Sequence, residues 1–291
     1  QLFIYNNFIM IFWIASYPKS GNTWIRALIS AYYYSKDGIF TEQLIKKIGQ
    51  FPEKIHFNGF DYNQEIVTDT TRFWIKAQDR INEDKKIKFK KTHNCFSSIN
   101  GYKFTNKENT IACIYVVRDP RNLITSLKNH YELDYDEALK FMINEKKFIF
   151  DYHKQNDYSD FQFISSWEKN FLSWINQSDF PIKIIKYEDL LSRTYFTFED
   201  LIKFINKILK IDEHINQDKL KNSINSTSFE KLKRYEKNFG FSEAVNSKNN
   251  HKNIPFFYLG PDNNWKKILD KDFQNKLNNT FNKSLKFFSY I

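Results

Sequence analysis

Ile11-Phe-Trp-Ile-Ala-Ser16, Tyr17-Pro-Lys-Ser-Gly-Asn-Thr-Trp24 and the segment Ile25 to Tyr34 follow one another as an apolar run, a turn and a stretch of helical period. Strand, turn and helix in that order make a place to hold a phosphate. Pro18 and Gly21 bend the chain so that the amides of Ser20 through Thr23 can converge on one anion, and the positive end of the following helix adds to the attraction. Lys19 sets a mobile cation beside them. The octapeptide is not the common nucleotide loop, GxxxxGK[ST], because Lys19 precedes Gly21 by two residues instead of following a glycine. A P-loop kinase or other nucleotide triphosphatase therefore starts at a disadvantage.

Outward from this stretch, short apolar runs alternate with longer segments of helical period, the pattern of parallel strands joined by crossover helices. Strands are expected at Ile11 to Ser16, Ile87 to Lys91, Ile111 to Val117 and Ile182 to Lys186. Helices are expected at Thr23 to Tyr34, Pro120 to Tyr131, Tyr135 to Tyr152, Ser166 to Gln177 and Thr197 to Leu209. Asp119 before Pro120 is a good start signal, an N-cap residue followed by proline in the first turn. The polar tract Lys233 to Lys252 reads as a mobile loop. The fold class is α/β: a single domain over residues 11–291 with a central parallel sheet flanked by helices and a P-loop-like nucleotide-binding core. Residues 1–10 read as an N-terminal extension with little function.

Composition narrows the partner. The 291 residues suffice for a substantial core, and aromatics reach 18%, with 30 phenylalanines. A net charge of +10 makes an anionic partner plausible. The lysines are spread along the chain and no nucleic-acid motif appears, so a small polyanion explains the charge at least as well as nucleic acid. Cys95 and Cys113 have no metal or redox spacing, and no metal is expected. No apolar run reaches about 18 residues, so no transmembrane helix is expected. The start lacks the charged region and cleavage site of a signal peptide, and the simplest expectation is a cytoplasmic protein.

Three further segments belong with the opening loop. In Lys90-Lys-Thr-His93, strand alternation puts Lys91 and His93 on one side, a cation and an imidazole facing one cleft. In Tyr115-Val-Val-Arg-Asp-Pro-Arg-Asn-Leu-Ile-Thr-Ser126, a strand ends at Arg118 and Ser126 follows two helical turns later. Arg118 and Ser126 can then grip one phosphate, as a fork and a hydroxyl donor. Lys186 to Leu190, Thr227 to Phe229 and Phe256 to Trp265 together offer an aromatic slot for a base.

These residues resemble those of the cytosolic-type sulfotransferases. The octapeptide is similar to that family's YPKSGTTW, Lys91-Thr92-His93 to its KTH, and Arg118 to Ser126 to its 3'-phosphate segment. The tract Gly260 to Trp265 resembles its GxxGDW with the same interval. The resemblance runs from about residue 11 to about residue 270. It implies 3'-phosphoadenosine 5'-phosphosulfate as the sulfuryl donor, and a small-molecule, lipid or carbohydrate acceptor bearing a hydroxyl or amine. By match to the motifs, Lys19, Ser20, Gly21, Asn22 and Thr23 would hold the 5'-phosphosulfate and Trp24 would pack on adenine. Arg118 and Ser126 would bind the 3'-phosphate, with Tyr187, Thr227, Phe229 and Gly260 completing the nucleotide pocket. His93 would be the catalytic base, Lys19 would stabilise the leaving oxygen and Lys91 would assist at the sulfuryl group.

One departure matters. Where the family commonly has Arg-Lys-Gly, this chain has Tyr258-Leu259-Gly260, so two phosphate contacts are missing or come from elsewhere, with Arg234 and the lysines of the polar tract as candidates. Weaker donor affinity is expected, and an inactive nucleotide-binding relative is the other rival reading. The acceptor pocket is expected from Gln43 to Trp74 and Lys140 to Phe163, which carry no interpretable motif.

Overall fold

The computed structural model describes residues 10–151, 156–211, 214–247 and 253–291. Its centre is a parallel four-stranded sheet: β1 (Ile11–Ser16), β2 (Lys88–Thr92), β3 (Thr110–Val117) and β4 (Ile182–Lys186), in the order β2-β1-β3-β4. The registers Ala15↔Thr92, Ser16↔Val116 and Val117↔Lys186 bring all four carboxyl ends to one edge. Every residue of β1 and β3 is buried. Along β1, Ile11, Trp13 and Ala15 face one core cluster while Phe12 and Ile14 face the other, the two-residue alternation of a strand covered on both sides.

The first face is covered by α2 (Trp74–Asn82), α3 (Pro120–Tyr131), α4 (Tyr135–Ile143) and α5 (Trp167–Ile175); the second by α1 (Asn22–Tyr34) and, after the short α6 (Tyr187–Ser192), by α7 (Thr194–Leu209) and α8 (Gln217–Ser226). The expected fold class, an α/β domain with a central parallel sheet between helices, is the one observed. Only β1 and β3 are shielded throughout; β2 and β4 are the edges, and Ile184 is 37% exposed.

Two expectations fail. The helix expected from Tyr135 to Tyr152 stops at Ile143, and a short antiparallel ladder of Phe148–Ile149 with Gln162–Phe163 follows. Asn144 leaves the helix in an extended conformation, and beyond it the apolar residues are consecutive rather than helically spaced. Tyr152 lies outside the described residues.

The polar tract from Lys233 is no simple loop either. It begins inside α9 (Phe229–Phe239), capped by Ser228 and ended by Gly240 at φ 77°, and continues into a hairpin of β5 (Val245–Asn246) and β6 (Asn253–Ile254). Its lysines and asparagines hide a helical stripe, Leu232, Tyr235 and Phe239, of which Leu232 is buried. Residues 248–252 of the tract, and residues 1–9 of the expected N-terminal extension, lie outside the described residues. Among the described residues, no helix is long and apolar enough to cross a membrane.

Candidate active site

At the carboxyl edge of the sheet, where ligands of open α/β sheets bind, lies a cavity of about 480 Å³. Its wall includes Pro18, Lys19 and Gly21 to Trp24 after β1, Lys91 and His93 at the end of β2, Arg118 after β3 and Tyr187 after β4. Ser126, Thr227, Phe229 and Gly260 complete it. Thus all the residues that the motifs assign to catalysis or nucleotide binding line one cavity except Ser20, which is fully buried outside the wall.

The loop after β1 is a nest. Lys19 has φ 66° and Gly21 φ 104°, two left-handed residues that turn successive amides inward ahead of α1. Lys19 tolerates this conformation at a cost; at Gly21 no other residue fits, because a Cβ would stand 2.6 Å from Cδ2 of Tyr187. The Asn22 side chain points away from the cavity, donating to the carbonyl of Ile14 at 2.9 Å and to Ser16 Oγ at 3.2 Å. It therefore anchors the loop to β1 through its side-chain nitrogen, while its Oδ1 is buried with no hydrogen-bond partner among the described residues.

Several buried polar atoms here have no hydrogen-bond partner among the described residues: Lys19 Nζ, Ser20 Oγ, Trp24 Nε1 and Arg118 Nε. Unsatisfied buried donors are costly, and so many at one place mark a ligand site. Lys19 Nζ lies 3.6 Å from the centre of the Phe256 ring. Burial lowers its pKa to about 7, with the charges of Lys91 and Arg118 acting in the same direction and Glu243 and Glu236 opposing them.

His93 is held on three sides. Its amide donates to Gln162 Oε1 at 2.7 Å, its carbonyl accepts from Asn170 at 3.0 Å, and Nδ1 lies 2.7 Å from the carbonyl of Ser16. A carbonyl can only accept, so Nδ1 carries the proton and Nε2 keeps its lone pair. Burial, then the charge of Lys91, lowers the pKa to about 3. The ring is therefore neutral, but its basicity in the ligand-free protein falls short of the ordinary value of about 6.5 on which the sequence argument leaned.

Arg118 donates to Ser126 Oγ and to the carbonyl of Lys19, both at 3.2 Å, and lies 4.2 Å over the ring of Tyr187. Trp24 meets Tyr187 edge-on at 5.8 Å. Gly260, at φ 55°, packs so tightly that a Cβ would come within 2.4 Å of the Phe229 ring. The tract after it clasps α3: Asn263 accepts from Thr125 Oγ1 at 2.7 Å and donates to the carbonyl of Asn122 at 2.8 Å, one turn from Ser126. Thr227 spends its hydroxyl proton on the carbonyl of Ser223 at 2.7 Å.

Asp119 caps α3 by accepting from the amide of Arg121 at 2.9 Å and grips that side chain at 2.7 Å. It is thus committed to structure and not to a magnesium ion. Of the suggested substitutes for the missing basic pair, neither Arg234 nor Lys233 lines the cavity; Lys233 donates to the carbonyl of Tyr258, which does, at 3.1 Å.

Other residues of the site went unread. His130, four residues after Ser126 and so on the same helical face, lines the cavity; burial, then Lys19, Lys91 and His93, lower its pKa to about 2. That spacing was a usable signal. Arg26 and Glu243 were not flagged by any motif: Arg26 donates to the carbonyl of Ile48 and pairs with Glu243, which also accepts from Thr23 Oγ1 at 2.6 Å.

A family model described as the sulfotransferase domain matches residues 11–289. The chain belongs to the sulfotransferase family. The enzyme class expected from the motifs, a 3'-phosphoadenosine 5'-phosphosulfate-dependent sulfotransferase, follows from that membership. A curated relative is the luciferin sulfotransferase of Photinus pyralis, 23% identical over 295 residues that span 96% of this chain and 72% of the relative. The crystal structure of retinol dehydratase in a complex with retinol and PAP shares the fold, at a TM-score of 0.56 and 15% identity, covering 97% of this sulfotransferase and 84% of that chain. A second structure of retinol dehydratase, with androsterone and PAP, gives 0.49 at 16% identity over 97% and 83%.

Proposed function

We propose that this sulfotransferase binds 3'-phosphoadenosine 5'-phosphosulfate in the cavity and transfers its sulfuryl group to a hydroxyl or amine of a small acceptor, with His93 as general base. One observation carries the reading: Lys19, Lys91, Arg118 and a neutral imidazole with its Nε2 lone pair unspent converge on a single cavity rich in unsatisfied donors. The Arg118–Ser126 pair fits the 3'-phosphate, and Trp24, Tyr187 and Phe229 fit the two faces and edge of adenine. The nest from Lys19 to Thr23 fits the 5'-phosphosulfate. Lys233, which donates to the carbonyl of Tyr258 from outside the wall, is a candidate for the role of the missing basic pair.

In the reaction, His93 Nε2 takes the acceptor proton as the acceptor oxygen forms a bond to sulfur. The bond from sulfur to the bridging oxygen breaks, and its electron pair stays on the phosphate of adenosine 3',5'-bisphosphate. Lys19 meets the charge developing on that oxygen, and Lys91 meets the sulfuryl oxygens. The anionic donor offsets the charge of Lys91 beside His93, so the base becomes stronger when the donor is in place.

The acceptor end of the wall is formed by Tyr131, Ile149 and Phe150 with Gln162, Asp151 and Asp160, an apolar surface edged by a few polar groups. It suits an aromatic or lipid-like alcohol better than a sugar. The retinol named with a structural relative and the luciferin named with a curated one are molecules of that kind.

The test is transfer of labelled sulfate from the donor to a panel of phenols, lipid alcohols and sugars. Transfer is expected with the first two classes, no product should form from ATP and magnesium, and the absence of any labelled product would refute the reading.

A further inference from the structure

The cradle assigned to the phosphosulfate already holds an anion of the protein's own. Glu243, in the turn between α9 and β5, accepts from Thr23 Oγ1 at 2.6 Å, pairs with Arg26 and lies 3.5 Å from Lys91 Nζ. The first turn of α1 contains no acidic residue, so among the described residues Glu243 is the carboxylate that meets the positive end of that helix. It belongs to the cavity wall and keeps 20% of its side chain exposed, so it sits at the border of the cavity and not in the core. The other arm of the same hairpin leads to Phe256, whose ring covers the Lys19 ammonium and whose amide donates to Glu236 at 2.6 Å.

We infer that Glu243 is an internal competitor of the donor, a carboxylate that must leave Thr23 and Lys91 before a phosphosulfate can take them. The inference rests on the donor reading above. Thr23 has one hydroxyl proton to give, and two anions sharing Lys91 at this range repel each other. Arg26 cannot follow an incoming ligand, because its Nε and Nη2 are bound to the carbonyl of Ile48 at 3.1 and 2.7 Å. It remains the partner to which a displaced Glu243 stays tethered.

Glu243 thereby raises the affinity that any anion must bring before it can occupy the cradle. A small anion such as sulfate offers the cradle little more than the tethered carboxylate already provides, and it competes against a group held at high local concentration. A nucleotide that also engages Arg118 and the aromatic slot gains contacts beyond the reach of Glu243. The competitor lowers the occupancy of free sulfate and phosphate, while the preference for the nucleotide comes from Arg118 and the adenine pocket.

The experiment titrates wild type and Glu243→Gln with adenosine 3',5'-bisphosphate and, separately, with inorganic pyrophosphate. Glutamine keeps an acceptor for Thr23 but loses the charge, so the nucleotide should bind about tenfold tighter, the scale of one charge-assisted hydrogen bond, with a comparable gain for pyrophosphate. Equal or weaker binding of pyrophosphate to the variant overturns the inference. Failure of the nucleotide to bind either protein overturns the donor reading instead. Should the variant fold poorly, carbodiimide labelling of wild type decides: Glu243 should react slowly alone and faster once adenosine 3',5'-bisphosphate is added. Unchanged labelling counts against the competitor.

Discussion

Raising the pH from 7 to 9 should weaken nucleotide binding through Lys19. Its pKa is lowered to about 7, first by burial and then by Lys91 and Arg118, with Glu243 and Glu236 in opposition. Half of the free protein then carries the ammonium at pH 7, about a tenth at pH 8 and about a hundredth at pH 9. An anionic nucleotide favours the charged form and raises that pKa, so binding takes up a proton. The affinity contributed by Lys19 is fully present below the free-state pKa and falls as pH rises through it. The loss is about tenfold, or about 1.4 kcal/mol, per pH unit until the pKa of the complex is reached. His93, His130 and Glu243 do not titrate in this window, the first two being lowered to about 3 and about 2 and Glu243 lowered too, whereas burial also lowers the pKa of Lys91, whose loss of charge would act in the same direction as that of Lys19. A 3'-phosphate has completed its second ionisation, near 6, before the window opens.

The assay is calorimetric titration of adenosine 3',5'-bisphosphate at pH 7, 8 and 9 in buffers of different ionisation heat. Uptake should approach one proton per nucleotide at pH 8. Lys19→Arg, whose guanidinium stays charged throughout, should give a markedly shallower profile. A flat profile in wild type, or the same slope in Lys19→Arg, would refute the reasoning.

The remaining predictions concern single side chains. His93→Ala should lower kcat about 10²–10⁴-fold in sulfate transfer while leaving the calorimetric Kd for adenosine 3',5'-bisphosphate within a few fold, because the imidazole acts on the acceptor proton. Arg118→Ala should erase most of the preference for adenosine 3',5'-bisphosphate over adenosine 5'-phosphate, a loss of about tenfold or more measured by competition, since a charge-assisted hydrogen bond contributes about 1.5–3 kcal/mol. Gly21→Ala forces an alanine into the left-handed region and drives its Cβ against Tyr187, so thermal unfolding should show a loss of at least about 1–2 kcal/mol along with weakened nucleotide binding. Replacing Tyr258 and Leu259 by Arg and Lys should tighten the nucleotide by about tenfold; an unchanged Kd would mean that Lys233 already supplies what the pair would add.

Local signals fixed the opening of the site. The strand at Ile11–Ser16, the turn at Pro18 and Gly21 and the helix after it are written in residues that constrain their own backbone, through apolar continuity, a fixed φ and freedom at positive φ. The cap Asp119-Pro120 placed α3 for the same reason, and with it the eight-residue step from Arg118 to Ser126 that the fold closes to 3.2 Å. These features depend on neighbours within two helical turns, so periodicity and motif spacing suffice to read them. The segment after Ile143 and the helix inside the polar tract were misread because composition masked their period.

Tertiary structure decided what no local pattern encodes. The tautomer of His93 is set by a carbonyl 77 residues away, and the pKa values of Lys19 and His93 by burial among charges that come from three strand ends. Glu243 reaches Thr23 across 220 residues, in a contact that depends on where a hairpin lands. Electrostatic energy in a closed cavity depends on distance and dielectric, both of which are properties of the assembled fold, whereas turn and helix preferences belong to the residues themselves.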